Sequence, residues 1–445
     1  MLANILLSIT HQAPSAWLIL PFVSLLLLIA IGPLFFAHFW HKYYKAIAVI
    51  LGALVGVYYL IVKEQPIVVA ETFAEYTSFI CLLFALYVAA GGIFVFADFE
   101  SKAKVNIVFL LIGAILTNFI GTTGASVLLI RPFMRVNRYR LKPYHIIFFI
   151  FFVSNLGGLL TPIGDPPLFM GFLKGVPFFW TLQHLISPWL VAIFLLSIIF
   201  YFFEKRNSQL DDVDVSTHYT QKIIINGKQN FIWLALIIGS VFIDPNVIDG
   251  VPFIDMHGKK VSFTREMMQL AIAFIAYKKA NKHALQSNGF DFEPIKEVAF
   301  LFFGIFLSMI PALQLLETAG SNIAEPLPHS VVYWASGLFS SVLDNAPTYV
   351  NFLALSLSMF GLSVNNINDI HTFIASKNVI YLEAISVGSV FFGALTYIGN
   401  GPNFMVKAIA EQHGIKMPSF FQYIAKYSIP ILLPILLVVW LLFFM

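Results

Sequence analysis

Apolar residues run through this chain in blocks of about twenty, the length that crosses a bilayer's hydrocarbon core as a helix. Short stretches where charges and helix breakers gather separate the blocks. Uninterrupted blocks at residues 17–37, 45–62, 76–97, 180–203, 230–243, 267–277 with their flanks, 300–316 and 429–444 predict spanning helices. The basic stretch His41-Lys42-Tyr43-Tyr44-Lys45 predicts a loop between the first two. Residues 244–265, rich in Pro, Asp and Gly, predict another. Residues 205–228 are polar around Asp211-Asp212-Val213-Asp214 and predict an extramembrane linker. That acidic run reads as a solvated stretch and not a metal site, because nothing nearby completes a ligand set.

Four further blocks are broken in the middle. SNLGGLLTPIGDPPLFM, starting at Ser154 inside block 144–174, returns 235 residues later as SVFFGALTYIGNGPNFM, starting at Ser389 inside block 379–410. Nine of the seventeen positions are identical. They fall on breakers and small polar residues, Thr161 and Gly164 recurring as Thr396 and Gly399, while Asp165 is answered by Asn400. Pro removes a backbone donor and Gly frees the chain to leave the helix. In hydrocarbon such a break is tolerated only where it is buried in protein or lines a wet cavity. Matching breaks in two halves point to the binding site of a secondary transporter.

Blocks 106–134 and 331–359 are interrupted at TNFIGTTGAS and SSVLDNAPTY. In the first block each arm is only about twelve residues and rises about 18 Å, short of the roughly 30 Å core, so a re-entrant hairpin fits better than a span. The predicted fold is an all-α polytopic membrane protein with two inverted repeats, 76–204 and 295–445, each holding one hairpin and one broken helix. N-terminal helices in 1–75 precede them, and the linker 205–228 and connecting helices in 229–294 join them.

Composition agrees: 59% of residues are hydrophobic and 11% charged, and the net charge of +3 is too small and too dispersed for nucleic-acid binding. The single cysteine, Cys81, excludes an internal disulfide and any thiol metal site. No basic residue precedes the first apolar block, which predicts an uncleaved span and not a signal peptide. With the Lys42 stretch and the linker cytoplasmic, 20 of the 26 Lys and Arg fall on that side, leaving Lys63, Lys174, Lys259, Lys260, Arg265 and Lys377 outside.

The hairpin tips echo each other. LTNFIGTT holds Thr117 and Asn118 where LDNAPTYV holds Asp344 and Asn345. Thr122, Thr123 and Ser126 add hydroxyls on one side, Ser340, Ser341 and Thr348 on the other. Oxygen ligands of this kind suit a small hard cation, with Na⁺ expected at Asn118, Thr122, Asp344 and Asn345. Asp344 and Asp165 are the two acids deep in predicted membrane segments, and an intramembrane carboxylate marks an ion path or proton relay. Either would also serve as a helix cap. Ser154, Asn155, Thr161, Gly164, Ser389, Thr396, Gly399 and Asn400 in the breaks complete the candidate ion or substrate site.

GTTGASVLLIRP, SNLGGLLTPIGDPP, SSVLDNAPT and TYIGNGPN together resemble the ion transporter superfamily: NhaD-type sodium/proton antiporters, ArsB-type arsenite carriers, and citrate and dicarboxylate transporters. The wording is most similar to a bacterial branch described as sodium/proton antiporter or citrate transporter. The resemblance implies hairpins and broken helices meeting near the midplane, a homodimer and elevator-like movement. The Asp344-Asn345 tip is more like the antiporters and arsenite carriers than the Ser-Asn-Thr tips of carboxylate symporters, and a carboxylate beside Asp344 and Asp165 would meet like charge. The expected function is exchange of Na⁺ (or Li⁺) for H⁺ at the inner membrane, with no organic cofactor and no enzymatic step. Na⁺-coupled citrate or dicarboxylate symport is the alternative. Arsenite efflux is disfavoured because Cys81 stands alone.

Overall fold

Backbone polar groups in hydrocarbon must be satisfied within the protein, and this chain satisfies them almost wholly with helices. The computed structural model describes residues 14–208, 219–245, 248–256 and 259–445. Helices α1 (Leu20–Phe35), α2 (Ala37–Ile61) and α3 (Pro66–Gly91) come first. His41, Lys42 and Lys45 are not in a loop, because the chain turns at Phe36 and the basic residues form the first turns of α2. The third block also ends earlier than residue 97. Asn288 Nδ2 donates to the carbonyls of Gly91 and Ile93 (2.9 and 2.5 Å), and Phe94–Asp98 leaves as strand β1. Its β-branched and aromatic residues pair instead with Lys222–Asn226, β2, antiparallel, Asp98 opposite Lys222. Part of the expected linker is therefore a strand. Asp211 to Asp214 lie outside the described residues.

Between the two strands lie the first hairpin and the first broken helix. Ala103–Val136, α4, is one 34-residue helical run folded back on itself at Gly121, whose φ of 75° is left-handed backbone that suits glycine. The fold-back is visible at the mouth. Asn106 and Asn137 exchange amide hydrogen bonds of 2.7 and 2.9 Å although 31 residues apart. A straight helix would hold them about 46 Å apart, so α4 is a re-entrant hairpin. Next come α5 (Pro143–Phe152), a 3-10 turn at Leu156–Leu160, an open break at 161–165, and α6 (Pro166–Lys174). The long helix α7, Trp180–Ser208, closes the repeat.

Two connecting helices, α8 (Asn230–Ser240) and α9 (Thr264–Lys278), are shorter than the bilayer core and pack against α3, so neither is the full span expected there. The loop joining them carries a small hairpin, β3 (Ile254–Met256) with β4 (Lys259–Val261). After α10 (Lys282–Ser287), α11 (Glu293–Ser321) spans beside α2 and α3. The second hairpin is α12 (His329–Val342) and α13 (Asn345–Ser358), its mouth drawn together where Leu327 N–H meets Met359 Sδ at 3.4 Å. An unforeseen amphipathic helix, α14 (Ile367–Ala375), is bent 101° from the second broken helix. That broken helix is α15 (Val379–Phe392), a 3-10 turn at Gly393–Leu395, a break at 396–400 and α16 (Gly401–Gln412). Helix α17, Phe420–Phe443, ends the chain.

The hairpins open on opposite faces, and α7 measures this. Near its start His184 Nδ1 meets Glu383 at 2.7 Å, beside Tyr381, which holds the mouth of the second hairpin through Leu327. Near its end Glu204 pairs with Arg140 and His145, at the mouth of the first. The two positions are about 30 Å apart along the helix. Around the first mouth, Asp98 accepts from Arg138 (2.6 Å) and from Thr220 N–H and Oγ1–H (2.9 and 2.7 Å). Burial alone would raise its carboxyl, but these hydrogen bonds outweigh it and hold the pKa down to about 2. Here lie Arg138, Arg140 and Lys142, and this is the basic face of the molecule.

The amide pair at the first mouth is buried. Asn137→Ala strands the Asn106 oxygen and leaves its amide only a 3.3 Å contact with Ser101. We expect a loss of about 1–3 kcal/mol, read as a lower unfolding temperature in detergent. An unchanged melting curve would show that the mouth is held by other contacts.

Candidate functional site

The open breaks at 161–165 and 396–400 lie side by side at the centre of the protein. Each is reached by the tip of the hairpin in its own repeat, through equivalent staples. Thr161 Oγ1–H donates to the Asn118 carbonyl (2.6 Å) and Thr396 Oγ1–H to the Ser341 carbonyl (2.5 Å). Each threonine then accepts the N–H of the glycine three residues on, Gly164 at 3.1 Å and Gly399 at 3.0 Å. Gly164 is irreplaceable by geometry: a Cβ there would lie 2.1 Å from the Gly158 carbonyl oxygen. Its own carbonyl accepts the N–H of Thr122 from the first tip at 2.9 Å.

The next residue in each break is where the repeats touch. Asp165 and Asn400 occupy the same position in the two copies, at the start of α6 and α16, and Asn400 Nδ2–H donates to Asp165 Oδ1 at 2.9 Å. Thr122 Oγ1–H, from the first hairpin tip, donates to the same oxygen at 2.9 Å. Asn345 Nδ2–H, from the second tip, donates to Oδ2 at 2.7 Å. Asp165 is 1% exposed and satisfied by both hairpins and by the opposite break. These three donors suit an ionised carboxylate, which accepts only.

Around this knot most of the other predicted residues are hydrogen-bonded within the protein. Asn118 donates to Ala114 and Gly157 carbonyls and accepts the Leu160 N–H, which ties the tip to the 3-10 turn. Thr117 bonds back to Ala114, and Ser126 pairs with Ser154 at 2.8 Å. Ser340 holds the Ser389 carbonyl, Ser341 bonds Leu338, and Thr348 bonds the carbonyl of Asp344. Asp344 is half-buried and caps α13, its Oδ1 accepting Ala346 N–H at 3.0 Å.

A cavity of about 460 Å³ runs from this knot to the basic face, and Thr122, Thr123, Gly164, Asp344, Asn345 and Asn400 line its inner end. Asn118 is not in the wall, so of the four residues expected to share Na⁺ only Thr122, Asp344 and Asn345 face one space. At the outer end stand Asp291, Glu293 and Glu297; the lining includes these acids and Asp344 but no Lys, Arg or His. Glu293 is itself paired with Lys45 and Lys296 (3.4 and 2.9 Å).

Sequence reasoning misses the acidic rim, since acids near a helix start look like ordinary solvated residues. It also misses Asn403, whose Oδ1 accepts from Asn155 Nδ2 at 2.7 Å across the repeats. A signal for that pair exists: each is polar where the other copy has Val390 or Leu168.

No curated protein sequence matches the chain. With residues 11–444 matched, the chain belongs to the family described as "Putative citrate transport" and is a multi-pass membrane transporter.

Proposed function

We propose that the chain is a secondary active antiporter that exchanges Na⁺ or Li⁺ for H⁺, with Asp165 and Asp344 as the coupling carboxylates. One observation carries this reading: the amides at the site turn their donors inward. Asn400 spends both amide hydrogens, on Asp165 and on the Ser154 carbonyl, and Asn345 turns its amide nitrogen to Asp165. Their carbonyl oxygens accept nothing from the described residues, and both residues line the cavity beside Asp344. Such a wall is rich in acceptors, which suits a small hard cation and not a carboxylate in need of donors. The acidic lining favours the same sign of charge.

Exchange follows from competition. A cation entering the cavity gains the carboxylate of Asp344, the amide oxygens and the Thr122 hydroxyl oxygen, with Asp165 lending its charge from behind. A proton on one of the two acids removes the charge that holds the cation, so occupancy by one favours release of the other. One site that loads either ion, but not both, exchanges them when it is exposed to each face in turn.

Na⁺-coupled citrate or dicarboxylate symport is the second reading, favoured by the family's description. It requires Na⁺ to screen Asp344 and at least one amide to reverse.

Reconstituted in proteoliposomes, the protein is expected to dissipate an imposed proton gradient when Na⁺ or Li⁺ is added with no carboxylate present. Na⁺-driven citrate accumulation without such dissipation would establish symport instead.

Asp344→Asn is a sharp test, because Asn caps a helix as well as Asp does and only the charge is lost. Cation-dependent proton exchange should fall at least about tenfold while the melting temperature holds. Exchange at the wild-type rate would remove Asp344 from the coupling.

A further inference from the structure

A second cavity, of about 830 Å³, lies on the face opposite the first, between α3 and α11 on one side and the end of α6 on the other. We infer that the two cavities are opposite ends of one transport path, and that the Lys174–Glu75 ion pair over a Phe79–Phe169 seal is the gate between them. The inference rests on the chain being a transporter, and not on which ion it carries.

One stripe of α3 shows the continuity. Residues four apart share a helix face, and Glu75 lines the second cavity, Phe79 and Leu83 the first, and Tyr87 its outer part. On α11, Phe306 faces the second cavity and Phe302 the first. Between the cavities the Phe79 ring packs at 4.6 Å from Phe302, 5.7 Å from Phe306 and 6.1 Å from Phe169. This layer of rings lies between the two spaces along the stripe.

The opposing wall is α6, nine residues that start directly after Asp165, carry Phe169 in the seal and end at Lys174. Lys174 Nζ lies 3.0 Å from Glu75 and 3.1 Å from Asn365 Oδ1, the latter just beyond the second hairpin. Both charges are buried, at 5% and 9% exposure. A short rigid helix thus has the site carboxylate at one end and the latch lysine at the other. If α6 moves away from α3 to expose Asp165 to the second cavity, the rings must part and the ion pair must open. Neutralising Glu75 weakens a contact that holds the end of α6 against α3, so it favours the arrangement in which α6 has moved away.

The test replaces Cys81, the sole cysteine, by Ser and places a reporter at Val298→Cys, in the wall of the first cavity. A membrane-impermeant maleimide is applied to vesicles of the full-length protein from the basic face. Glu75→Gln is expected to slow labelling at least about threefold, as the population shifts away from the arrangement open to that face. The exchanged pair Glu75→Lys with Lys174→Glu is expected to restore it. Labelling of Glu75→Gln at the unmodified rate, in protein that elutes as a single folded species, would overturn the gate, and so would a loss that the exchanged pair leaves uncorrected. Absence of Na⁺-dependent proton exchange would leave this result standing, so the two readings fail separately.

Discussion

A carboxylate taken out of water and paired with no cation among the described residues has to be met by donors, and Asp165 is met by three that no local segment supplies. Each comes from a different place: the first hairpin tip, the second hairpin tip and the opposite break. An ionised group left bare at this depth would cost several kcal/mol. Satisfying it fixes how far each hairpin descends and where each broken helix opens. The unwound breaks are also anchored. The N–H groups of Gly164 and Gly399 go to the hydroxyls of Thr161 and Thr396, the Leu160 N–H to Asn118 and the Thr396 carbonyl to Asn403, in place of helical partners.

The two repeats build this centre by equivalence in the backbone and difference in the side chains. Thr161 and Thr396 make the same staple to the tip of their own hairpin. Where the copies diverge, the divergent members find each other. Asp165 accepts from Asn400, its own counterpart, and Asn155 donates to Asn403, each polar where the other copy is apolar. Contact between counterparts places the pseudo-two-fold relation at Asp165 and Asn400. A perfectly symmetric pair of two Asp residues would repel, and two Asn residues would carry no charge.

Much of this is legible in the sequence because breakers and hydroxyls inside apolar runs have no other reason to be there. SNLGGLLTPIGDPP and its copy mark both breaks, and short arms on either side of Gly121 mark a hairpin that length alone would call a span. The failures share one cause, that the deciding partner is far away in the chain. The strand at Phe94 reads as the end of a span until β2, more than a hundred residues later, supplies its ladder. Lys174 reads as a residue at a helix end until Glu75 and Asn365 bury it. The surroundings of the two acids are likewise set by distant partners: Asp165 is the more completely enclosed, and Asp344 lies against the cavity.

That division of labour between two acids bears on what the cavity accepts. Were Asp165 absent, the amides of Asn345 and Asn400 and the Thr122 hydroxyl would be a ready cradle for a substrate carboxylate, three donors converging on one point. With Asp165 present the cradle is filled by the chain itself, and the donors are turned from the cavity. What remains towards the cavity is the other side of each group, amide oxygens and a hydroxyl oxygen, beside the Asp344 carboxylate and the Thr123 hydroxyl, under a rim of further acids. On the cation-exchange reading proposed above, an internal carboxylate reverses the charge preference of a site whose donors would otherwise favour anions. A change in one residue of the break, with the hairpins and staples intact, is a physical route by which one scaffold serves either sign of charge.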